Sequence, residues 1–217
     1  MKTPPSSVKS VFSSTFRKEL DDLMLCRRDV RNFRKDPIDQ KILEKCLGSF
    51  LTAPSVGLSE PWRIVNVSSI DVRSKAIENF ERCNKEALQE YNDWRARKYA
   101  KLKLSGMQDA PVHLAIYCDE GTHKGYNLGS KTMPEMLRYS VVSAITLLWL
   151  SLRSYGLGMG WVSILDEKQL AIDLDIPKTW KLIGYFCIGW PERYSLDPEL
   201  EEKKWERRRG SIPFIQR

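Results

Sequence analysis

Histidine is nearly absent. His113 and His123 are the only two in 217 residues, so a histidine-based catalytic triad or a multi-imidazole zinc site has almost nothing to be built from. Cysteine offers little more: Cys26, Cys46, Cys83, Cys118 and Cys187 are odd in number, scattered, and include no CxxC pair. That spacing argues against a disulfide framework and leaves reduced core residues. No apolar run reaches membrane length either. The longest apolar run, Tyr139–Leu152, has 14 residues without a charge between Arg138 and Arg153, where a bilayer span needs about 20, and it reads as a buried core helix. The N-terminus lacks the apolar segment of a secretory signal and reads as a flexible polar arm over residues 1–14. The interior has no Pro/Gly/Ser-rich break and no repeat, so residues 15–217 read as one domain. These absences predict a cytoplasmic protein with no membrane partner and no metal, whose chemistry needs an organic cofactor.

What is present begins with charge. The formal net charge is +7, which alone suits a nucleic acid, a membrane surface or a phosphorylated small molecule. Its distribution narrows the choice. Arg27, Arg28, Arg31 and Arg34 form one cluster and Lys203–Arg209 another, while the middle of the chain is mixed in sign. Two compact clusters fit one phosphate site at least as well as an extended nucleic-acid track, and no helix-turn-helix, zinc-finger or aromatic RNA-binding signature accompanies them.

Periodicity predicts helices over Thr15–Cys26, Ile38–Thr52, Asp71–Lys103 and Pro134–Ser154, with Pro37 and Asp39 marking the start of the second. Strands are predicted at Trp62–Val67, Val112–Cys118, Met159–Ile164 and Leu182–Gly189. Strands alternating with helices, one of them apolar almost all round, imply an α+β or α/β sandwich around a buried helix. The segment Arg27–Arg34 reads as too charged for the core.

Three segments hold candidate chemistry. Arg27, Arg28 and Arg31 beside a helix end suit bidentate phosphate recognition, although such a run taken alone reads as a solvated basic turn. Asp29 among them is either an ion-pair partner or a proton-transfer group. Ala53–Trp62 joins a helix to a strand with small residues that let backbone approach a planar ligand, or is an ordinary turn. Gly156, Gly158 and Gly160 follow a helix and precede a strand, the reverse of the dinucleotide-binding order, which rejects a Rossmann reading. Ser163, at the predicted strand end, offers a hydroxyl.

The collinear set Arg27-Arg28-Asp29-Val30-Arg31, Ala53-Pro54-Ser55-Val56-Gly57 with Pro61-Trp62, and Gly158-Met159-Gly160-Trp161-Val162-Ser163 resembles the FMN-dependent nitroreductase family. Lys98-Tyr99, Leu102-Lys103-Leu104, Gly106 and Ala110-Pro111 look like the lid of its flavin-fragmenting branch, and Asp29 stands where ordinary members commonly have Ser. The resemblance implies a dimeric α+β sandwich with a central mixed or antiparallel sheet and a long buried helix. It also implies that reduced FMN is the substrate. Oxygen-dependent fragmentation would yield 5,6-dimethylbenzimidazole, the lower ligand of cobalamin, and erythrose 4-phosphate, with a flavin reductase or NAD(P)H as electron source.

By the same resemblance, Arg27, Arg28, Arg31 and Arg208 hold the phosphate and ribityl chain. Pro54, Ser55 and Gly57 line the ring, Val30 and Leu104 join the binding set, and Asp29 and Ser163 are catalytic. Tyr99–Met107 is the expected lid. Glu60 replaces the family's usual Gln and Leu147 a common Asn, and Glu60 needs a partner if buried. The nearest alternative is an NAD(P)H-dependent nitroreductase or quinone reductase of the same fold; from another class, a basic nucleic-acid-binding module.

Overall fold

The computed structural model describes residues 11–100, 102 and 104–217; most of the expected N-terminal arm and two lid positions, Lys101 and Lys103, lie outside them. The first helix, α1 (Ser14–Cys26), starts where the Ser13 hydroxyl accepts from the Phe16 N–H at 3.1 Å, one of the donors a helix start leaves unpaired. The second, α2 (Gln40–Leu47), is shorter than the predicted Ile38–Thr52. Asp39, not Pro37, sets its start by accepting from Lys41 N–H, and the chain tightens to 3₁₀ geometry over Gly48–Thr52.

The charged mid-chain also divides. A predicted single helix over Asp71–Lys103 is α3 (Ile70–Gln89) and α4 (Asp93–Tyr99), separated at residues 90–92. α5 (Met136–Ser154) carries the long apolar run and buries Leu137, Val141, Ala144, Ile145, Leu148 and Leu152, while Tyr139 and Val142 face outward on the single chain. Short helices α6 (Glu167–Asp173) and α7 (Glu199–Glu202) complete the set.

Five strands form one sheet: β1 (Phe33–Arg34), β2 (Trp62–Asn66), β3 (Val112–Asp119), β4 (Gly158–Val162) and β5 (Trp180–Pro191). The order is β1-β5-β3-β2 with β4 also on β5, and every strand pair is antiparallel. β1 was not foreseen. Phe33, inside the run read as too charged for the core, is 2% exposed, because strand alternation turns it inward and Arg34 outward.

Each face of the sheet has its own core. One packs Leu114, Ile116, Met159, Phe186 and Ile188 on α5 and Cys46 of α2. The other packs Ala115, Tyr117, Val162, Tyr185 and Cys187 against Ala76 and Phe80 of α3 and Leu170 of α6. Each fully buried aliphatic chain contributes about 1.5–3 kcal/mol, so the sheet is braced on both sides and its edges are free to carry chemistry. All five cysteines are free thiols, and burial pushes Cys118 and Cys187 up to about 12, which leaves them inert. Among the described residues, no helix is long and apolar enough to cross a membrane, and no group of three or more His, Cys, Asp or Glu could hold a metal.

Candidate functional site

The site is built where the chain leaving α1 runs beside β4. Val30 N–H donates to the Met159 carbonyl at 3.1 Å, and Asp29 makes a parallel bridge with Met159. The Asp29 side chain then does what a neighbouring strand's carbonyl would do: its Oδ1 accepts from Trp161 N–H at 2.9 Å. Oδ2 accepts from Arg31 Nε, also at 2.9 Å. The glycines of β4 permit this approach. A Cβ on Gly160 would lie 2.2 Å from the Val30 carbonyl oxygen, and one on Gly158 would lie 2.7 Å from Val30 Cγ2. The Gly-rich stretch thus admits backbone instead of cradling phosphate.

α5 holds the same segment from below. Trp149 Nε1 donates to the Arg28 carbonyl at 3.3 Å, the Arg27 guanidinium lies 4.6 Å from the Trp149 ring centre, and Arg153 Nε donates to the Cys26 carbonyl. Arg28 Nε reaches the Leu196 carbonyl at 2.8 Å and draws the C-terminal segment over the site.

Arg27, Arg28, Asp29, Arg31, Pro198, Glu199, Leu200 and Arg208 enclose a cleft of about 120 Å³. Four guanidiniums face two carboxylates there, a formal excess of +2. Burial lowers the pKa of Arg27 and of Arg28, and the Arg208 charge lowers both further. Cations crowded until they depress one another favour an anion, and a phosphate monoester carries about −1.5 to −2. The residues therefore fit the phosphate end of FMN. A groove of about 640 Å³ between α6 and the start of β5 is larger, but Glu167 and Asp175 offset two of its three lysines and it holds no arginine.

The other expected residues fall at graded distances. Val30 lines two smaller clefts adjoining the arginines. Ser163 is exposed just past the end of β4, two residues and about 7 Å beyond the Trp161 that holds Asp29. Leu104 does not line the arginine cleft; it packs on the second core. It lies two residues from Gly106, whose Cβ, if present, would meet the Phe33 ring at 2.3 Å and the Arg31 carbonyl at 3.3 Å.

Pro54, Ser55 and Gly57 are not brought to the arginines within one chain. Val56 N–H donates to the Ser140 hydroxyl of α5, nine residues and about 13 Å along the helix from Trp149. Their loop is nonetheless set with care. Ser55 Oγ accepts from Glu60 N–H at 3.1 Å, and Gly57 has φ +57° with no room for a Cβ between the Leu128 and Gly125 carbonyls. Glu60 has its partner in Lys124, and Leu147 is half-buried. Sequence reasoning missed Glu199 and Leu200 as walls of this cleft and Trp149, Arg153 and Trp161 N–H as braces of the arginine segment, since nothing local marks an acidic turn or a helix tryptophan for either role.

The sequence model of the nitroreductase family matches residues 25–190. A 5,6-dimethylbenzimidazole synthase from Rhodospirillum rubrum is 47% identical over 207 residues, covering 95% of this chain and 98% of the relative. One from Rhodobacter capsulatus is 37% identical, covering 90% and 94%. Among solved structures, oxidized iodotyrosine deiodinase bound to FMN and 3-iodo-L-tyrosine superposes with a TM-score of 0.73 at 20% identity, covering 91% of this chain and 99% of that one. With an antiparallel sheet braced on both faces by helices and a family match across most of its length, this chain belongs to the nitroreductase family.

Proposed function

We propose that this protein is an enzyme that consumes reduced FMN and molecular oxygen to form 5,6-dimethylbenzimidazole and erythrose 4-phosphate. The observation that carries the reading is the Asp29 carboxylate, held by Trp161 N–H and Arg31 at the edge of a cleft with a +2 excess, in a chain similar over nearly its whole length to curated synthases.

Bound reduced FMN supplies both the electrons that oxygen takes up and the carbon skeleton of the products. The chain's own residues position it and move protons. Arg27, Arg28, Arg31 and Arg208 receive the phosphate. A carboxylate has acceptor sites for about four donors, of which Trp161 and Arg31 take two, so Asp29 retains capacity to exchange a proton at Oδ2 near the junction of ring and ribityl chain. Ser163 presents its hydroxyl toward the ring edge. The segment from Tyr99 to Met107, with Leu104 inward, excludes water from the reacting centre.

Pro54, Ser55 and Gly57 sit toward the other end of α5 from the arginine segment and line none of its clefts; as the family resemblance implies, a second copy supplies them across the outward face of α5 that carries Tyr139 and Val142. The functional unit is then a homodimer in the cytoplasm, receiving reduced flavin from a reductase or from NAD(P)H. The test is to mix the protein with chemically reduced FMN in air and assay by chromatography and mass spectrometry. Formation of 5,6-dimethylbenzimidazole in rough proportion to FMN lost supports the reading; quantitative return of intact FMN makes the protein a reductase instead.

A further inference from the structure

α7 ends in a turn with a specific consequence. Lys204 has φ +58°, Trp205 N–H donates to the Leu200 carbonyl at 2.8 Å, and Lys204 N–H donates to the Glu201 carbonyl at 2.9 Å. This is the Schellman pattern, here with a lysine in the left-handed position that favours glycine. The turn aims two groups at α4. The Lys204 carbonyl accepts from Lys98 Nζ at 2.6 Å. The Trp205 indole meets the rings of Tyr91 and Tyr99 edge-on, with centroids at 5.7 and 6.3 Å, while the two tyrosines lie 5.0 Å apart. Tyr99 is 7% exposed and its hydroxyl donates to Asn84 Oδ1 of α3 at 2.8 Å, so the aromatic cluster rests on a fixed base.

The other end of this strap is the arginine cleft. Leu200, which accepts from Trp205, lines the cleft, and so does Arg208, three residues beyond Trp205. One short segment therefore touches both the anion site and the helix leading into the expected lid.

We propose that Trp205 is a positioning residue that couples occupancy of the arginine cleft by a phosphate group to the seating of α4. An anion that holds Arg208 in the cleft restricts the strap, which keeps the indole against Tyr91 and Tyr99 and α4 against α3. By linkage, a seated α4 holds Arg208 where the phosphate needs it. This rests on the phosphate-binding reading of the cleft but not on the reaction that follows.

The test uses limited trypsin digestion of the full chain, with mass spectrometry reading cleavage after Arg95, Arg97 and Lys98 in α4, with and without inorganic phosphate. Two edge-on aromatic contacts correspond to about tenfold in the seating equilibrium, so phosphate should slow these cleavages by about that factor. In Trp205→Ala they should be fast and nearly insensitive to phosphate, and Trp205→Phe should recover most of the protection. Should Trp205→Ala fail to fold, Tyr91→Leu removes the facing ring and carries the same expectation. Full phosphate protection in either folded variant, or none in the unaltered protein, overturns the proposal. With reduced FMN, Trp205→Ala should also release a larger share of flavin intact. Trp205-dependent protection in a protein that makes no 5,6-dimethylbenzimidazole would leave the coupling standing and defeat only the proposed reaction.

Discussion

Replacing Asp29 with Asn separates a brace from a proton carrier by magnitude. Asn keeps a carbonyl oxygen for Trp161 N–H but loses the charge that faces Arg31 Nε at 2.9 Å. The Asp29 side chain is 31% exposed, so solvent screens the pair and its loss costs about 1 kcal/mol or less. For a chain of this size that is about 2–4 °C in Tm. A positioned acid or base, by contrast, contributes about 10²–10⁴ in rate, or about 3–5 kcal/mol of barrier. The two effects differ enough to be told apart in one variant. Asp29→Asn should bind FMN within a few-fold of the unaltered protein, lose only a few degrees by differential scanning fluorimetry, and form 5,6-dimethylbenzimidazole at least about 100-fold more slowly. Flavin fluorescence titration and single-turnover product analysis in air measure the first and last of these quantities. Product formation slowed by less than about fivefold would mean that Asp29 only holds Trp161 and Arg31, and the acid/base role would be refuted.

Other predictions follow from the same geometry. Arg208→Ala removes a charge-assisted phosphate contact worth about 1.5–3 kcal/mol, so FMN affinity should fall about 10- to 100-fold while riboflavin, which lacks the phosphate, is unaffected in the same titration. His113 is buried, with Nδ1 facing the Tyr185 hydroxyl at 2.9 Å and Nε2 facing the Ala110 carbonyl at 3.1 Å, and burial lowers its pKa to about 4. The unfolded chain therefore binds a proton at higher pH than the folded one, so His113 contributes stability above about pH 6.5 that is lost as pH falls toward 4, on the order of 3 kcal/mol at most. Urea unfolding across that window should show a decline that His113→Gln flattens. Gly160→Ala sets a methyl 2.2 Å from the Val30 carbonyl and forces the Asp29 segment off β4. About 1–3 kcal/mol of stability and most FMN binding should be lost together; an unchanged Tm would show that the segment yields freely.

Much of this protein could be read along the chain. Hydrophobic spacing located α1, α5 and four of the five strands to within a few residues, because a helix face or strand alternation repeats inside a short window. The arginines were equally legible, since Arg27, Arg28 and Arg31 stand within five residues of one another. Other features belong to the tertiary structure. Phe33 sits in a run of charge, and only its pairing opposite Pro191 shows that it is core. Arg207, Arg208 and Arg209 are chemically equivalent in sequence, yet the turn at Lys204 brings Arg208 to the cleft. The glycines of β4 were rejected as a nucleotide loop on sound grounds, but their use, admitting Val30 and letting Asp29 reach Trp161 N–H, joins positions 132 residues apart. Periodicity and charge are local properties that a sequence displays directly. Which cation meets which cleft, and which backbone passes close enough to exclude a Cβ, depends on packing between distant segments, and no window of sequence contains it.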